Sequence, residues 1–151
     1  MQRNIRRPLE RQARRGASAV EAAIVLSAVL LIVFGLFDLG LAVLQQNTLT
    51  ECARRAARTA IVRGSRSSAP LGPSGWSGYA SAVHPLTDSI RPHLGVMPPA
   101  AVTLNVSWPD ADNAAGRAVV VQLQYQHQGV LKSLFGVAWT IRASSRMSIA
   151  H

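Results

Sequence analysis

The sequence predicts an α+β protein: a long N-terminal transmembrane helix that continues into a stalk, followed by a small antiparallel sheet of about three strands. Three observations carry that expectation. Ala22 to Leu44 is almost wholly apolar or small, Gln45 to Arg63 lacks proline and glycine and is rich in alanine, and the C-terminal third alternates apolar with polar side chains. The divisions that follow are a basic leader over residues 1–16, helix and stalk over 17–63, a flexible loop over 64–78 and an extracytoplasmic α+β domain over 79–151.

The apolar run comes first. At about 1.5 Å per residue it makes a helix of roughly 34 Å, enough to cross a hydrocarbon core of about 30 Å. A secretory signal peptide has an apolar part of only about 7–15 residues, so the run reads as one membrane span. Arg3, Arg6, Arg7, Arg11, Arg14 and Arg15 precede it, and the positive-inside bias places the N-terminus in the cytoplasm and the remainder outside. Arg54, Arg55, Arg58 and Arg63 follow the other end and soften that asymmetry.

Two acids lie in or beside the span, where an unpaired carboxylate costs several kcal/mol. Glu21, at its cytoplasmic edge, is either a solvated acid favoured by the helix N-terminus or a functional contact. Asp38, six residues from the outer end, marks either a helix that sits shallower than drawn or a packing contact with a partner helix.

Beyond the span the helix keeps its geometry and changes its chemistry. Leu49, Ala53, Ala56 and Ala60 share one small apolar face, with Arg55, Arg58 and Thr59 elsewhere, so the stalk can pack closely on its own domain or on another helix. The arginines face solvent or touch anionic lipid heads. Cys52 is the single cysteine and has no internal partner. It serves as a small residue on the helix face or forms an intermolecular disulfide.

Glycine, serine and proline crowd residues 64–78, which read as a loop. Tyr79 to Leu94 holds short helical pieces interrupted by Pro85 and Pro92. Next, Val102, Leu104, Val106 and Trp108 alternate with polar neighbours, and Asp110 to Gly116 is a turn. Val119, Val121, Leu123 and Tyr125 then oppose Gln122, Gln124 and Gln126. After Leu134-Phe135-Gly136, the set Trp139, Ile141, Ala143, Met147 and Ile149 opposes Thr140, Arg142, Ser144, Arg146 and Ser148. A three-stranded sheet with one apolar face needs a cover, and the outer part of the long helix is the nearest one.

Charge and spacing argue against other functions. The net charge is +9, but the leader through Gly16 holds six of the sixteen basic residues and one of the seven acids. The excess is therefore mostly topological, and no nucleic-acid partner is expected. His84, His93, His127 and His151 lack metal-ligand spacing and read as surface or loop residues, so no metal and no cofactor is expected. No nucleophile elbow or phosphate-cradling loop is present. The chain reads as a non-enzyme.

Three pieces of the sequence resemble the TadE-like family of the tight-adherence (Flp) pilus apparatus, relatives of the type IV pilins. Gly16 is followed at the fifth residue by Glu21, leading into the apolar helix. Leu49-Thr50-Glu51-Cys52-Ala53-Arg54-Arg55-Ala56-Ala57-Arg58-Thr59-Ala60 is similar to the alanine- and arginine-rich continuation after the family's membrane helix. The C-terminal order of strand, Leu134-Phe135-Gly136 turn and strand completes the likeness. Ala22 departs from it, since such pilins often carry an aromatic after the carboxylate.

The resemblance implies cleavage between Gly16 and Ala17 by a prepilin peptidase, with Gly16, Ala17 and Glu21 as recognition features. It implies that Glu21 is an assembly contact for a neighbouring subunit's amine; Asp38, from its place in the span alone, is the second candidate assembly residue. Residence in the bacterial inner membrane follows, as a single-pass minor pilin or pseudopilin. Its partners would be the membrane, the prepilin peptidase, other pilin-like subunits and pilus assembly proteins, in a homo- or hetero-oligomer. The competing expectation is an uncleaved single-span anchor whose sheet domain recruits envelope partners.

Overall fold

A computed structural model describes residues 6–129, 132, 136 and 138–150, with side chains from Gly16 onward. One helix, α1 (Arg6–Ile61), runs through leader, apolar run and stalk without a break. Nothing in the sequence stops it before Arg63-Gly64, and the intervening glycines Gly16, Gly35 and Gly40 are single, which a helix tolerates at about 1 kcal/mol each.

The sheet has four antiparallel strands in sequential order: β1 (Trp76–Tyr79), β2 (Val102–Ser107), β3 (Ala118–Gln126) and β4 (Thr140–Ser148). The last three are those the alternation predicts. β1 is an addition, and it begins inside the stretch expected to be loop. It forms because the free edge of β2 offers a ladder, with Trp76 opposite Val106 and Tyr79 opposite Thr103. The rest of the 64–78 segment is tied down as well. Leu71 donates its N–H to the Arg63 carbonyl at 2.7 Å, and Asn113 Nδ2 donates to the Leu71 carbonyl at 3.2 Å.

The expectation for Tyr79 to Leu94 needs one correction. Pro85 does not interrupt a helix; it is the first residue of α2 (Pro85–Ile90). Proline is well suited there, because its missing N–H would have had no helical partner. His84 caps the helix: its Nδ1 accepts the Leu86 N–H at 3.3 Å, and its own N–H donates to Thr87 Oγ1 at 3.1 Å.

The core forms where the stalk half of α1 meets the inner face of the sheet and α2. Leu49, Cys52, Ala53, Ala56, Ala57 and Ala60 are all buried against Leu104, Val121, Leu123, Ile141, Leu86 and Ile90. Small residues on the helix let the strands and α2 approach it closely. Both ends of β4 are tied to the helix, with Gln46 Nε2 donating to the Arg142 carbonyl at 3.1 Å and Ala150 N–H to the Ile61 carbonyl at 3.0 Å. The cover expected for the sheet is thus the chain's own helix.

Candidate functional site

From Gly16 to Phe34 every residue of α1 is exposed, and its most apolar eighteen residues bury nothing within the protein. Gly16, Ala17 and Glu21 lie together on this bare helix, about one turn apart, and none of the three is covered by another described element. The Gly16–Ala17 bond is helical here. A helical carbonyl is engaged by the N–H four residues on, so a peptidase acting at this bond has first to open a turn, which glycine makes easier.

Asp38 is in a different setting. It is 1% exposed, while the flanking Leu36 and Phe37 are 65% and 67% exposed. What covers it is the region after β3. A methyl group on Gly129 would collide with the Asp38 carboxylate and with His127 Nε2, so both side chains converge on the Gly129 Cα. His127, 2% exposed, donates Nδ1–H to Gln45 Oε1 at 2.6 Å. Gln45 is itself buried and stands about 10 Å along the helix from Asp38. Asp38, Gln45, His127 and Gly129 thus join the outer end of the apolar helix to the near end of the sheet.

The placement of the expected residues follows. Glu21 and Asp38 are not brought together: they are seventeen residues apart on one helix, about 25 Å. Asp38 packs on its own domain. Cys52 is fully buried, with Sγ 3.6 Å from the His93 carbonyl oxygen, so a disulfide to another chain would require α1 to part from the Arg91–His93 turn that follows α2. His127 is a correction, because its lack of metal-ligand spacing suggests a surface or loop residue and the fold buries it. Its position continues the inward set Val119, Val121, Leu123 and Tyr125 by one more step of two, a parity visible in the sequence. Of the Leu134-Phe135-Gly136 turn, Leu134 and Phe135 lie outside the described residues, and Gly136 has a φ of 70°.

Among the ionisable groups of the sheet domain, burial holds the His84 imidazole below its ordinary value, with Asp88 opposing that shift and Arg63 adding to it. Its ring stacks on Trp76 at 4.1 Å. This is cap chemistry, remote from the helix features above.

The comparison with known families bears on that helix. Residues 16–58 match the model of the family described as TadE-like protein. Over this segment the chain is similar to that family. The matched segment opens at Gly16 and closes three residues before α1 ends, so it takes in the bare apolar half, Asp38 and most of the buried stalk, and leaves the sheet outside. The match points to a function connected with the Tad pilus, and the exposed apolar helix supports a membrane anchor. No curated protein and no solved structure matches the chain.

Proposed function

We propose that this chain is a single-span minor pilin or pseudopilin that acts without catalysis in assembling a tight-adherence pilus or a related secretion machine of the bacterial inner membrane. The observation that carries this reading is the coincidence of the family match, which begins at Gly16, with an apolar helix whose first half is left uncovered by the rest of the described chain. A helix left bare in this way needs lipid before assembly and neighbouring helices after it. Glu21 lies five residues after Gly16. Cleavage would place a new α-amino group on Ala17, close enough to a carboxylate in a dry bundle for mutual stabilisation. The prepilin peptidase and other pilin-like subunits are the partners this reading requires, with the N-terminus in the cytoplasm and the sheet domain outside.

The unbroken helix across Gly16–Ala17 favours a second reading, an uncleaved anchor whose sheet domain recruits envelope proteins. Intact mass and N-terminal sequencing of protein from native membranes, with and without a working prepilin peptidase, separates the two. A chain starting at Ala17 only when the peptidase is active supports processing; an unchanged start in both overturns it in favour of the anchor.

A further inference from the structure

Strand β4 closes the sheet on one side, and its outer edge pairs with no other strand of the described chain. Hydrogen bonds beyond its two ends fix which backbone groups face outward. His127 donates its N–H to the Trp139 carbonyl at 3.0 Å, and Ile149 donates to the Arg117 carbonyl at 2.8 Å; these pairs continue the β3–β4 register by one step at each end. The bonded pairs therefore fall on Ile141, Ala143, Ser145 and Met147, and the N–H and C=O of Arg142, Ser144, Arg146 and Ser148 point away from β3. Helix α1 takes the two ends of this edge, with Gln46 Nε2 on the Arg142 carbonyl and the Ile61 carbonyl on the Ala150 N–H. Between them the outward groups of Ser144, Arg146 and Ser148 have no partner among the described residues. The edge is also open from below: Ile141, Ala143 and Ile149 are buried on the inner face, whereas Ser145 and Met147 between them are half-buried.

The charges beside this edge have one sign. Arg142 and Arg146 are exposed on the outer face of β4, and Arg54 and Arg58 are exposed on the stretch of α1 between Gln46 and Ile61. The ion pairs among the described residues are Arg55–Glu51, Arg91–Asp88 and Arg117–Asp112, so none of these four arginines has a carboxylate there. We infer that the outer edge of β4 takes an added strand from an acidic segment of another protein, with carboxylates opposite Arg142 and Arg146.

An open strand edge is a template for any extended chain, and charge on it decides which chains it accepts. A second copy fits poorly. Pairing β4 with itself gathers Arg142 and Arg146 of both chains on one face, four like charges with no acid among them. An acidic segment reverses that repulsion, and the register gives its pattern. The residues opposite Arg142 and Arg146 are four apart and share their face, with one residue opposite Ser144 between them. The two intervening side chains turn to the inner face beside Ala143 and Ser145, diagonal to the half-buried Met147. The segment is therefore acidic at its first and fifth positions and apolar at its second and fourth. Backbone hydrogen bonds supply affinity, and the arginines supply the choice of partner. The inference holds whether or not the chain is cut after Gly16.

Amide hydrogen exchange on the full chain in detergent tests this, with the peptide acetyl-Ser-Glu-Val-Thr-Val-Glu-Ser-amide as the probe and the same peptide with both glutamates replaced by lysine as its control. Without peptide, the Ser144 and Arg146 amides should exchange rapidly, while Ser145 and Met147, whose N–H groups face β3, stay protected. The acidic peptide should slow exchange at Ser144 and Arg146 several-fold, and the lysine peptide should leave them unchanged. The double variant Arg142→Glu, Arg146→Glu should exchange those preferences, with continued protection at Ser145 and Met147 showing that its sheet is folded. Protection of Ser144 and Arg146 before any peptide is added overturns the inference, because the edge is then covered by a second copy or by the detergent-facing surface. Equal protection by the two peptides, or by neither, overturns it as well.

Discussion

The two halves of α1 have the same secondary structure and opposite obligations. Residues 22–37 are apolar apart from Ser27 and almost wholly exposed, whereas residues 45–61 bury a stripe of leucine, cysteine and alanine under the sheet and α2. The difference lies in side-chain size and pattern. Large apolar residues all round the helix leave no polar face, which suits a lipid or multi-helix environment. Alanines on one face and arginines on the other suit a single protein neighbour. The stalk is therefore part of the domain's core, and the apolar half is an appendage that no other described element covers. Asp38 marks the crossover, apolar and open on one side of its turn and closed by Gly129 on the other.

This contrast is open to direct attack. The largest effect is expected from Leu49→Ala, which empties a fully buried position and should cost about 2–5 kcal/mol of domain stability. Leu30→Ala, on the exposed half, should stay within about 0.5 kcal/mol. Denaturant unfolding in detergent, followed by the near-ultraviolet signal of buried Trp108, measures both. Equal losses would mean that the two halves fold as one unit. At the crossover, Gly129→Ala forces a methyl group against the Asp38 carboxylate and the His127 ring, and is expected to cost about 1–3 kcal/mol. Pairing it with Asp38→Ala should recover part of that loss, because one of the two obstructing groups is removed; simple additivity would sever the proposed contact.

A smaller effect belongs to the sheet domain. His84 caps α2 through an unprotonated Nδ1, and its folded-state value is lowered chiefly by burial. A histidine lowered in the folded state contributes fully above its unfolded value of about 6.5, and that contribution is lost as pH falls through the lowered folded value. Melting temperature should therefore drop between neutral and acid pH by more in the wild type than in His84→Asn, which keeps a capping side chain without this titration. His84→Ala should cost about 1 kcal/mol at neutral pH. Identical pH profiles for wild type and His84→Asn would remove the cap from the account.

Much of this fold is legible in the sequence because its signals are local. The period of two over Val102–Trp108, Val119–Tyr125 and Trp139–Ile149 sets three strands and their inner faces, and the spacing of Leu49, Ala53, Ala56 and Ala60 sets the stalk's buried side. What escapes is set by distant partners. Trp76-Ser77-Gly78-Tyr79 has a weak pattern of its own and becomes a strand only because β2 supplies a ladder. The environment of Asp38 depends on Gly129, ninety-one positions away, so the sequence leaves its two readings open. His127 is a partial case: the inward parity of β3 reaches it, but its match to Gln45 needs the docked helix.

Glu21→Ala should have no effect at all on the domain, since Glu21 is exposed on the bare half of α1, away from the sheet and the stalk core. Unfolding in detergent should be unchanged within about 0.5 kcal/mol. If the bare half of α1 exists to join other helices, however, the same substitution should abolish incorporation into fibres or assembly intermediates recovered from native membranes. Glu21→Asp, which keeps the charge on a shorter arm, should restore it in part. A carboxylate that is only solvated at the membrane edge would make both variants assemble like the wild type. The readout therefore separates the two roles of the helix: a stability loss without an assembly loss would place Glu21 in the domain's own folding, whereas an assembly loss without a stability loss would place it in contacts between chains.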